Sequence, residues 1–170
     1  ALRGKLGSDI HIMAGNVATL EAFNDVSFWG ANSVRVGVGG GSICSTRIQT
    51  GHGVPTFTSV MECRYSQYGA TLIADGGIKT SGDIVKCLAA GADLVMLGSM
   101  LAGTHESPGT VFSDSDGKQF KHYRGMASKE AQINWKGKYS SYEGVAHQVR
   151  YKGMLNDVLG DIVRNIRSGL

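Results

Sequence analysis

A single cysteine, Cys44, stands at the end of a glycine-rich loop that follows an apolar run. The run covers residues 33–36, and the loop before the thiol contains four glycines and one serine. Glycine lets the backbone approach a ligand closely, and a cysteine thiolate is a nucleophile near neutral pH. Residues 37–47 therefore predict covalent chemistry on a phosphorylated small molecule. The structural alternative for Cys44 is simple packing as a small hydrophobic residue.

Glycines also follow two later apolar runs, and they predict a phosphate cradle. Gly76 and Gly77 follow the run that starts at residue 71, and Gly98 and Ser99 follow the run that starts at residue 94. Backbone N–H groups at strand ends favour an anion, and glycine lets a phosphate come close. Together with Ser42 these residues are candidate phosphate contacts. The alternative is that these glycines only turn the chain.

Four short apolar runs predict the strands that must position these residues. They cover residues 10–14, 33–36, 71–74 and 94–97. Each run is nearly all apolar, as expected for parallel strands that are buried on both faces. Apolar spacing and capping residues predict helices between them at residues 19–29, 55–68 and 81–90. The alternation predicts an α/β fold with an internal βα repeat.

Beyond residue 99 this alternation stops, and three further segments can be distinguished. Residues 104–123 are polar with a turn at 114–117, which predicts a hairpin insertion. Residues 129–143 are predicted to form a mobile, flap-like loop. An amphipathic pattern over residues 156–168 predicts a closing helix.

Composition and charge exclude several classes of protein. The chain has 170 residues, 42% hydrophobic and 18% charged, which indicates one globular domain over residues 1–170. A net charge of +3 from scattered basic residues argues against a nucleic-acid surface. Three cysteines without paired spacing argue against a disulfide framework or zinc site and favour the reducing cytoplasm. No run approaches the ~20 apolar residues of a membrane span. We therefore expect a cytoplasmic protein without nucleic-acid or membrane partners.

Seven blocks of sequence, in order along the chain, resemble a known family. They lie at residues 14–16, 37–47, 74–78, 96–103, 123–128, 143–144 and 151–153. Their order and spacing resemble the IMP dehydrogenase/GMP reductase family of purine nucleotide oxidoreductases, whose fold is the (β/α)8 TIM barrel. The resemblance implies that this chain supplies about the C-terminal four βα units and that the N-terminal half of the barrel is its partner. A small open α/β sheet is the alternative fold, and both folds place function at the carboxyl ends of the strands.

The resemblance implies a role for each candidate site residue. Cys44 would attack C2 of the purine base of a nucleoside monophosphate, and Thr46 and Glu143 would handle proton transfer. Asp75 would bind the ribose hydroxyls. With the predicted phosphate contacts included, the nucleotide-binding set is Ser42, Asp75, Gly76, Gly77, Gly98, Ser99, Tyr123, Gly125 and Met126.

The resemblance also implies a nicotinamide cofactor, either NADP or NAD, and a homotetrameric assembly. Asn16, Gly37 and Gly39 are candidate cofactor contacts, although polar strand residues such as Asn16 also serve structural roles. The carbonyl groups of Gly39, Gly41 and Cys44 match positions that bind potassium in many IMP dehydrogenases. Carbonyl oxygens suit a hard cation of this kind.

Two branches of the family catalyse different reactions. The reductase converts GMP and NADPH to IMP, ammonia and NADP, and Thr46 with Glu143 resembles its proton-transfer pair. The dehydrogenase converts IMP, NAD and water to XMP and NADH with the help of an Arg-Tyr pair, which is absent between Met126 and Glu143. Residues 123–126 and Val145 nevertheless resemble the dehydrogenase. The sequence favours a GMP reductase, with an IMP dehydrogenase or a non-catalytic nucleotide-binding paralogue as alternatives.

Overall fold

Helices alternate with short strands over the first half of the chain, and a second group of strands follows. The computed structural model describes residues 2–138, 140 and 144–170. Its elements are α1 (Leu2–Leu6), β1 (Met13–Val17), α2 (Leu20–Phe28), β2 (Ser33–Val36), α3 (Thr46–Thr50), α4 (Thr56–Cys63), β3 (Thr71–Asp75), α5 (Ser81–Ala89), β4 (Leu94–Met96), β5 (Phe112–Ser113), β6 (Gln119–Arg124), α6 (Lys129–Lys136), β7 (Ala146–Arg150) and α7 (Leu155–Gly169). None of the helices in these described ranges combines the length and the apolar character needed to cross a membrane.

The first four strands form one parallel sheet in the order β1-β2-β3-β4. Val34 of β2 pairs with Leu72 of β3, and Ala74 of β3 pairs with Val95 of β4. Parallel neighbours need long crossover connections, and α2, α4 and α5 lie in those crossovers. The predicted α/β class with a parallel sheet is therefore confirmed. The described strands form an open sheet with β1 and β4 at its edges, so they do not by themselves confirm the predicted barrel, which stays a prediction.

One face of this sheet and four helices enclose the hydrophobic core. Side chains alternate along a strand, so Val34 and Val36 point to the same face, where they join Phe23 of α2 in the core. Helices α4, α5 and α7 also contribute to this core. Full burial of such side chains contributes about 1.5–3 kcal/mol each. The alternate positions on β2 and β3 place Arg35 and Asp75 on the opposite face, where the candidate site lies.

The first strand lies three residues later than the sequence predicts. The apolar run predicts a strand at residues 10–14, ended by Gly15, whereas β1 covers Met13–Val17. Gly15 pairs with Arg35, and Val17 pairs with Val36 and is buried. Pairing with β2 therefore decides the position of the strand. Ile10, the first residue of the apolar run, remains 50% exposed.

A second sheet is antiparallel and has the order β5-β6-β7. The hairpin of β5 and β6 covers most of the predicted hairpin segment 104–123 and ends one residue beyond it, at Arg124, while β7 is a strand without a sequence prediction. Residues 129–143 do not form a loop throughout, because α6 occupies their first part. Ser128 caps this helix by accepting the Ala131 N–H at 3.2 Å, and Gly137 ends it in a left-handed conformation. The mostly polar sequence of α6 hides it from an apolar-periodicity analysis.

A buried lysine fastens the second sheet to the loop after β4. Lys121 is only 1% exposed, and its Nζ donates to the carbonyl oxygens of Thr104 at 3.0 Å and His105 at 3.2 Å. It also donates to the carbonyl oxygen of Ser107. An ammonium group deprived of water needs such partners, because burying an unpaired charge is strongly unfavourable. Three backbone carbonyls therefore replace the hydration of this group.

We predict that Lys121→Met lowers the free energy of unfolding of the full-length protein by about 3 kcal/mol, because three backbone carbonyls around a buried side chain lose a charged donor. Urea denaturation followed by circular dichroism measures the change. Lys118→Met removes the same charge from an exposed side chain and should change stability by less than about 0.5 kcal/mol. Equal stability of the two variants would contradict this role for Lys121.

Candidate active site

The loop after β2 carries Cys44 to the carboxyl end of the parallel sheet. The N–H of Cys44 donates to the carbonyl of Gly41 at 3.1 Å and closes a tight turn. The Cys44 Sγ donates to the Thr46 Oγ1 at 3.1 Å, at the start of α3. Cys44 is a free cysteine and is partly exposed. The structure thus brings two of the predicted catalytic residues into direct contact at an accessible position.

A second segment of the chain is bonded to the cysteine loop. Val145 donates its N–H to the carbonyl of Ile43 at 2.9 Å, and Cys44 pairs with Gly144 in an antiparallel bridge. Glu143, the third predicted catalytic residue, lies outside the described residues, and its role stays a prediction. The segment that begins at Gly144 is therefore adjacent to the nucleophile in space, although a hundred positions separate Gly144 from Cys44 in sequence.

A small cavity collects the predicted phosphate residues. Its volume is about 70 Å³, and its walls include Ser42, Asp75, Gly76, Gly77, Gly98, Ser99 and Tyr123. A water molecule occupies about 30 Å³ in the liquid, so the cavity has room for a small group such as a phosphate. Glycine-rich loops at such positions expose N–H groups that favour an anion. Four segments that are distant in sequence thus meet at one candidate phosphate site.

Tyr123 reaches this cavity from the second sheet. Burial raises the pKa of Tyr123, and the negative charge of Asp75 acts in the same direction, while a hydrogen bond with Ser42 partly opposes them. The phenol is therefore protonated at neutral pH and can donate a hydrogen bond to an anion. A Cβ at Gly98 would lie 2.5 Å from the Tyr123 Oη, so glycine at this position makes room for the hydroxyl.

The carboxylate of Asp75 lies at the carboxyl end of β3 and collects donors from two neighbouring strands. Arg35 donates to its Oδ2 through Nε at 3.1 Å and through Nη2 at 2.8 Å. Asn16 donates to the same oxygen at 2.8 Å. A carboxylate has about four lone-pair sites, so Asp75 retains acceptor capacity for the hydroxyl groups of a ligand. Arg35 is not in the predicted site set, although a charged residue within an apolar strand was a signal for it.

The candidate cofactor contacts occupy two separate places. Asn16 donates to the carbonyl of Gly37 at 2.7 Å, which places both residues beside Asp75. Gly39 instead lines a groove of about 400 Å³, and Arg47 contributes to the wall of the same groove. Asn16 and Gly37 thus lie beside Asp75, and Gly39 lies in the wall of the groove. Their cofactor role stays a prediction.

The predicted potassium ligands are backbone carbonyl groups in the cysteine loop. The carbonyl of Gly41 already accepts the Cys44 N–H, and its second lone pair remains compatible with a cation. Within the described part of the chain, no group of three or more His, Cys, Asp or Glu side chains is arranged to hold a metal. A cation at this loop would therefore depend on carbonyl oxygens, and potassium stays a prediction.

The last two predicted nucleotide contacts lie in different surroundings. The N–H of Gly125 donates to the carbonyl of Val145 at 3.4 Å, and a Cβ at Gly125 would lie 3.3 Å from the Ile43 Cδ1. Gly125 is thus packed against the cysteine loop. The side chain of Met126 is 71% exposed and does not enter the cavity. Any contact between Met126 and a nucleotide would use its backbone, as the resemblance implies.

The two other cysteines are placed for packing. Cys63 is fully buried, and burial together with the charge of Glu62 raises its pKa to about 11. Cys87 is also buried, and burial followed by the charge of Asp83 raises its pKa above the ordinary value. Both side chains are therefore protonated thiols at neutral pH, and thiols are poor nucleophiles.

We predict that iodoacetamide at neutral pH modifies Cys44 well before Cys63 or Cys87, because those two thiols are buried and protonated. Raising the pH toward the pKa of Cys63, about 11, should increase the labelling of the buried thiols. Peptide mass spectrometry of the native full-length protein identifies the modified positions. Cys44→Ser is the control and should remove the fast-reacting site, and rapid labelling of Cys87 would contradict the prediction.

A second prediction concerns Gly37, which follows β2 with a φ of +144°. A Cβ at this position would overlap the backbone carbonyl oxygen of Asp75. Gly37→Ala should therefore lower the free energy of unfolding by about 3 kcal/mol, through backbone strain and steric overlap. Gly69→Ala is the control, because nothing lies within 4 Å of its Cβ, and it should shift stability by less than about 1 kcal/mol. Urea denaturation measures the free energy of unfolding of both variants. Equal losses of stability would rule out the close approach of Gly37 to the Asp75 carbonyl.

Comparison with known proteins identifies relatives along the whole chain. The family model of the IMP dehydrogenase / GMP reductase domain matches residues 1–170. The chain is 48% identical to inosine-5'-monophosphate dehydrogenase of Nitrosopumilus maritimus, over 95% of this chain and 37% of that protein. It is 49% identical to inosine-5'-monophosphate dehydrogenase of Halalkalibacterium halodurans, over 95% of this chain and 35% of that protein.

A solved structure shows the same fold over nearly the same residues. It is a GMP reductase variant of Trypanosoma brucei in complex with guanosine 5'-monophosphate. The TM-score is 0.88 at 42% identity, over 94% of this chain and 34% of that chain. The chain thus spans little more than a third of the length of the proteins that it matches.

Proposed function

This chain belongs to the IMP dehydrogenase / GMP reductase family of NAD(P)-dependent oxidoreductases, and from that premise we propose that it supplies the nucleophile and the phosphate site of a GMP reductase. The observation that carries the proposal is the contact of the Cys44 Sγ with Thr46 beside the 70 Å³ cavity. Because the chain covers only part of its relatives, the reaction belongs to the whole protein.

The cysteine loop can contact two parts of a purine nucleoside monophosphate, the phosphate and the base. Ser42 lines the phosphate cavity, and Cys44 follows two positions later with its thiol partly exposed. One short loop therefore holds both the anion contact and the nucleophile, which fixes their separation. Asp75 lies in the wall of the same cavity, where its carboxylate can accept hydrogen bonds from the ribose hydroxyls.

In the proposed reaction the Cys44 thiolate adds to C2 of the guanine base, and the exocyclic amino group leaves as ammonia. A bound NADPH supplies the hydride that replaces the amino group at C2. The carbon–sulfur bond then breaks, which releases IMP and restores the thiolate. Thr46 is placed to take part in the proton transfers, because its hydroxyl lies 3.1 Å from the Cys44 Sγ. Glu143 is the proposed acid and base for the departing ammonia.

The choice of the reductase branch depends on the sequence between Met126 and Glu143. An Arg-Tyr pair is absent there, so the residues that activate water in the dehydrogenase have no counterpart. IMP dehydrogenase is the second candidate, and the curated relatives with this name, which are 45–49% identical, favour it. A non-catalytic nucleotide-binding paralogue is the third, since this chain spans only part of the length of its relatives and part of the nucleotide and cofactor pocket would come from the rest.

The open edges of the parallel sheet support a barrel that other segments complete. Met13 on the β1 edge is 49% exposed and Leu94 on the β4 edge is 54% exposed. We propose that strands of the N-terminal half of the barrel pair with these edges, because unpaired parallel edges are a liability. A homotetramer and a cytoplasmic location stay predictions, and the free cysteines are compatible with the latter.

The proposed function is tested with the full-length protein and two substrate pairs. GMP with NADPH should consume the reduced cofactor, measured by its absorbance, whereas IMP with NAD should give no reduced cofactor. Cys44→Ser should lower turnover by about a thousandfold or more, because the covalent step is lost. Cys63→Ala removes a fully buried thiol from the core face of α4 and should retain activity.

Each contrary result has a distinct meaning. Turnover with IMP and NAD alone would assign the protein to the dehydrogenase branch. Nucleotide binding without turnover of either pair would favour the non-catalytic paralogue. Retained activity in Cys44→Ser would reject the covalent mechanism in both branches.

A further inference from the structure

The loop after β4, which carries Gly98 and Ser99 to the phosphate cavity, is bound by Lys152 at its first turn and by Lys121 farther along. Lys152 donates through its Nζ to the carbonyl of Ser99 at 2.8 Å and to the carbonyl of Met100 at 2.9 Å. Its backbone N–H also donates to the carbonyl of Gly103 at 2.9 Å. A single residue, which follows β7 in the second sheet, thus holds the loop at both of its ends.

The bonds of Lys152 have a defined direction relative to the cavity. Leu101 and Ala102 both donate to the carbonyl of Gly98 at 3.0 Å, so the loop is one helical turn. In a helical turn the N–H groups point toward its first residues and the carbonyl groups point the opposite way. The first residues, Gly98 and Ser99, line the cavity, and Lys152 binds carbonyl groups at the other end. The ammonium therefore stabilises the peptide orientation in which N–H groups point toward the cavity.

The charge of Lys152 adds to this effect of direction. Among the residues that the structure describes, no carboxylate forms an ion pair with Lys152. Loss of hydration around its ammonium lowers the pKa of Lys152 from the ordinary value. The side chain of Lys152 is nevertheless exposed, so solvent screens this charge in part, and the two hydrogen bonds of its Nζ hold the turn directly.

We propose that Lys152 is a positioning residue for the phosphate of the nucleotide, which it serves by holding the turn at residues 98–102 and by adding positive charge behind it. This inference rests on the proposed nucleotide-binding function. It assigns a role in ligand binding to a residue that lies outside the cavity and outside the predicted site set.

The test compares IMP with inosine, which differ only in the phosphate group, by isothermal titration calorimetry on the full-length protein. IMP takes part in the reactions of both branches, so the choice of branch does not affect the result. Lys152→Met should weaken IMP binding by about tenfold and change inosine binding by less than about twofold, because only the phosphate interacts with the lost charge. Lys152→Arg keeps the charge and the donors and should retain most of the IMP affinity.

Lys118→Met is the matched control. It removes the same charge from an exposed lysine in the turn between β5 and β6, where Lys118 pairs with Asp116 at 3.2 Å. The affinities for IMP and for inosine should each stay within about twofold of those of the unsubstituted protein, because solvent and salt screen an exposed charge. Circular dichroism checks that each variant is folded.

Two results would overturn the inference. Unchanged IMP affinity in Lys152→Met is one, and an equal loss of IMP and inosine affinity, which indicates a purely structural role, is the other. If Lys152→Met does not fold, Lys152→Gln serves in its place, because its amide keeps a donor without the charge, and the same outcomes apply. Failure of the unsubstituted protein to bind IMP would instead reject the proposed function.

Discussion

The carboxylate of Asp75 joins three neighbouring parallel strands at their carboxyl ends, and the candidate site is built around it. Its Oδ2 accepts from Asn16 on β1 and from Arg35 on β2, while Asp75 itself ends β3. Hydrogen bonds between charged groups are stronger than neutral ones, so this contact fixes the edge from which the loops emerge. Gly37 approaches the backbone of Asp75 so closely that a side chain does not fit there. The cysteine loop therefore starts from a position that Asp75 determines.

The second sheet has a direct part in this site. Its strand β6 delivers Tyr123 to the phosphate cavity and Lys121 to the carbonyls of the loop after β4. Lys152, two residues after the end of β7, binds an earlier part of the same loop. Two ammonium groups thus satisfy carbonyl oxygens along residues 99–107, which would otherwise need water. The segment that resembles an insertion in the sequence is part of the support for the site.

The sequence predicted the parallel sheet well because its evidence is local. Short apolar runs, glycines after them and amphipathic segments between them all report the conformation of a few neighbouring residues. The same local evidence failed for β1, where pairing with β2 shifts the strand toward Val17. It also failed for α6, whose polar surface lacks an apolar stripe, and for β7, which depends on β6 as a partner. For the two strands, a contact with a distant segment outweighs the local pattern.

By itself the sequence determined which residues end strands, which thiol follows the glycine loop, and which family the blocks resemble. The family is confirmed by the match over residues 1–170. Only the tertiary structure decided which polar groups meet, since Asn16 and Asp75 bond across 59 positions and Lys152 and Ser99 across 53. Such contacts follow from strand order and register. The conformational preferences of single residues carry no information about either. For that reason Cys44 was visible as a site residue in the sequence, whereas the partners of Arg35 and Lys152 emerged only in the folded chain.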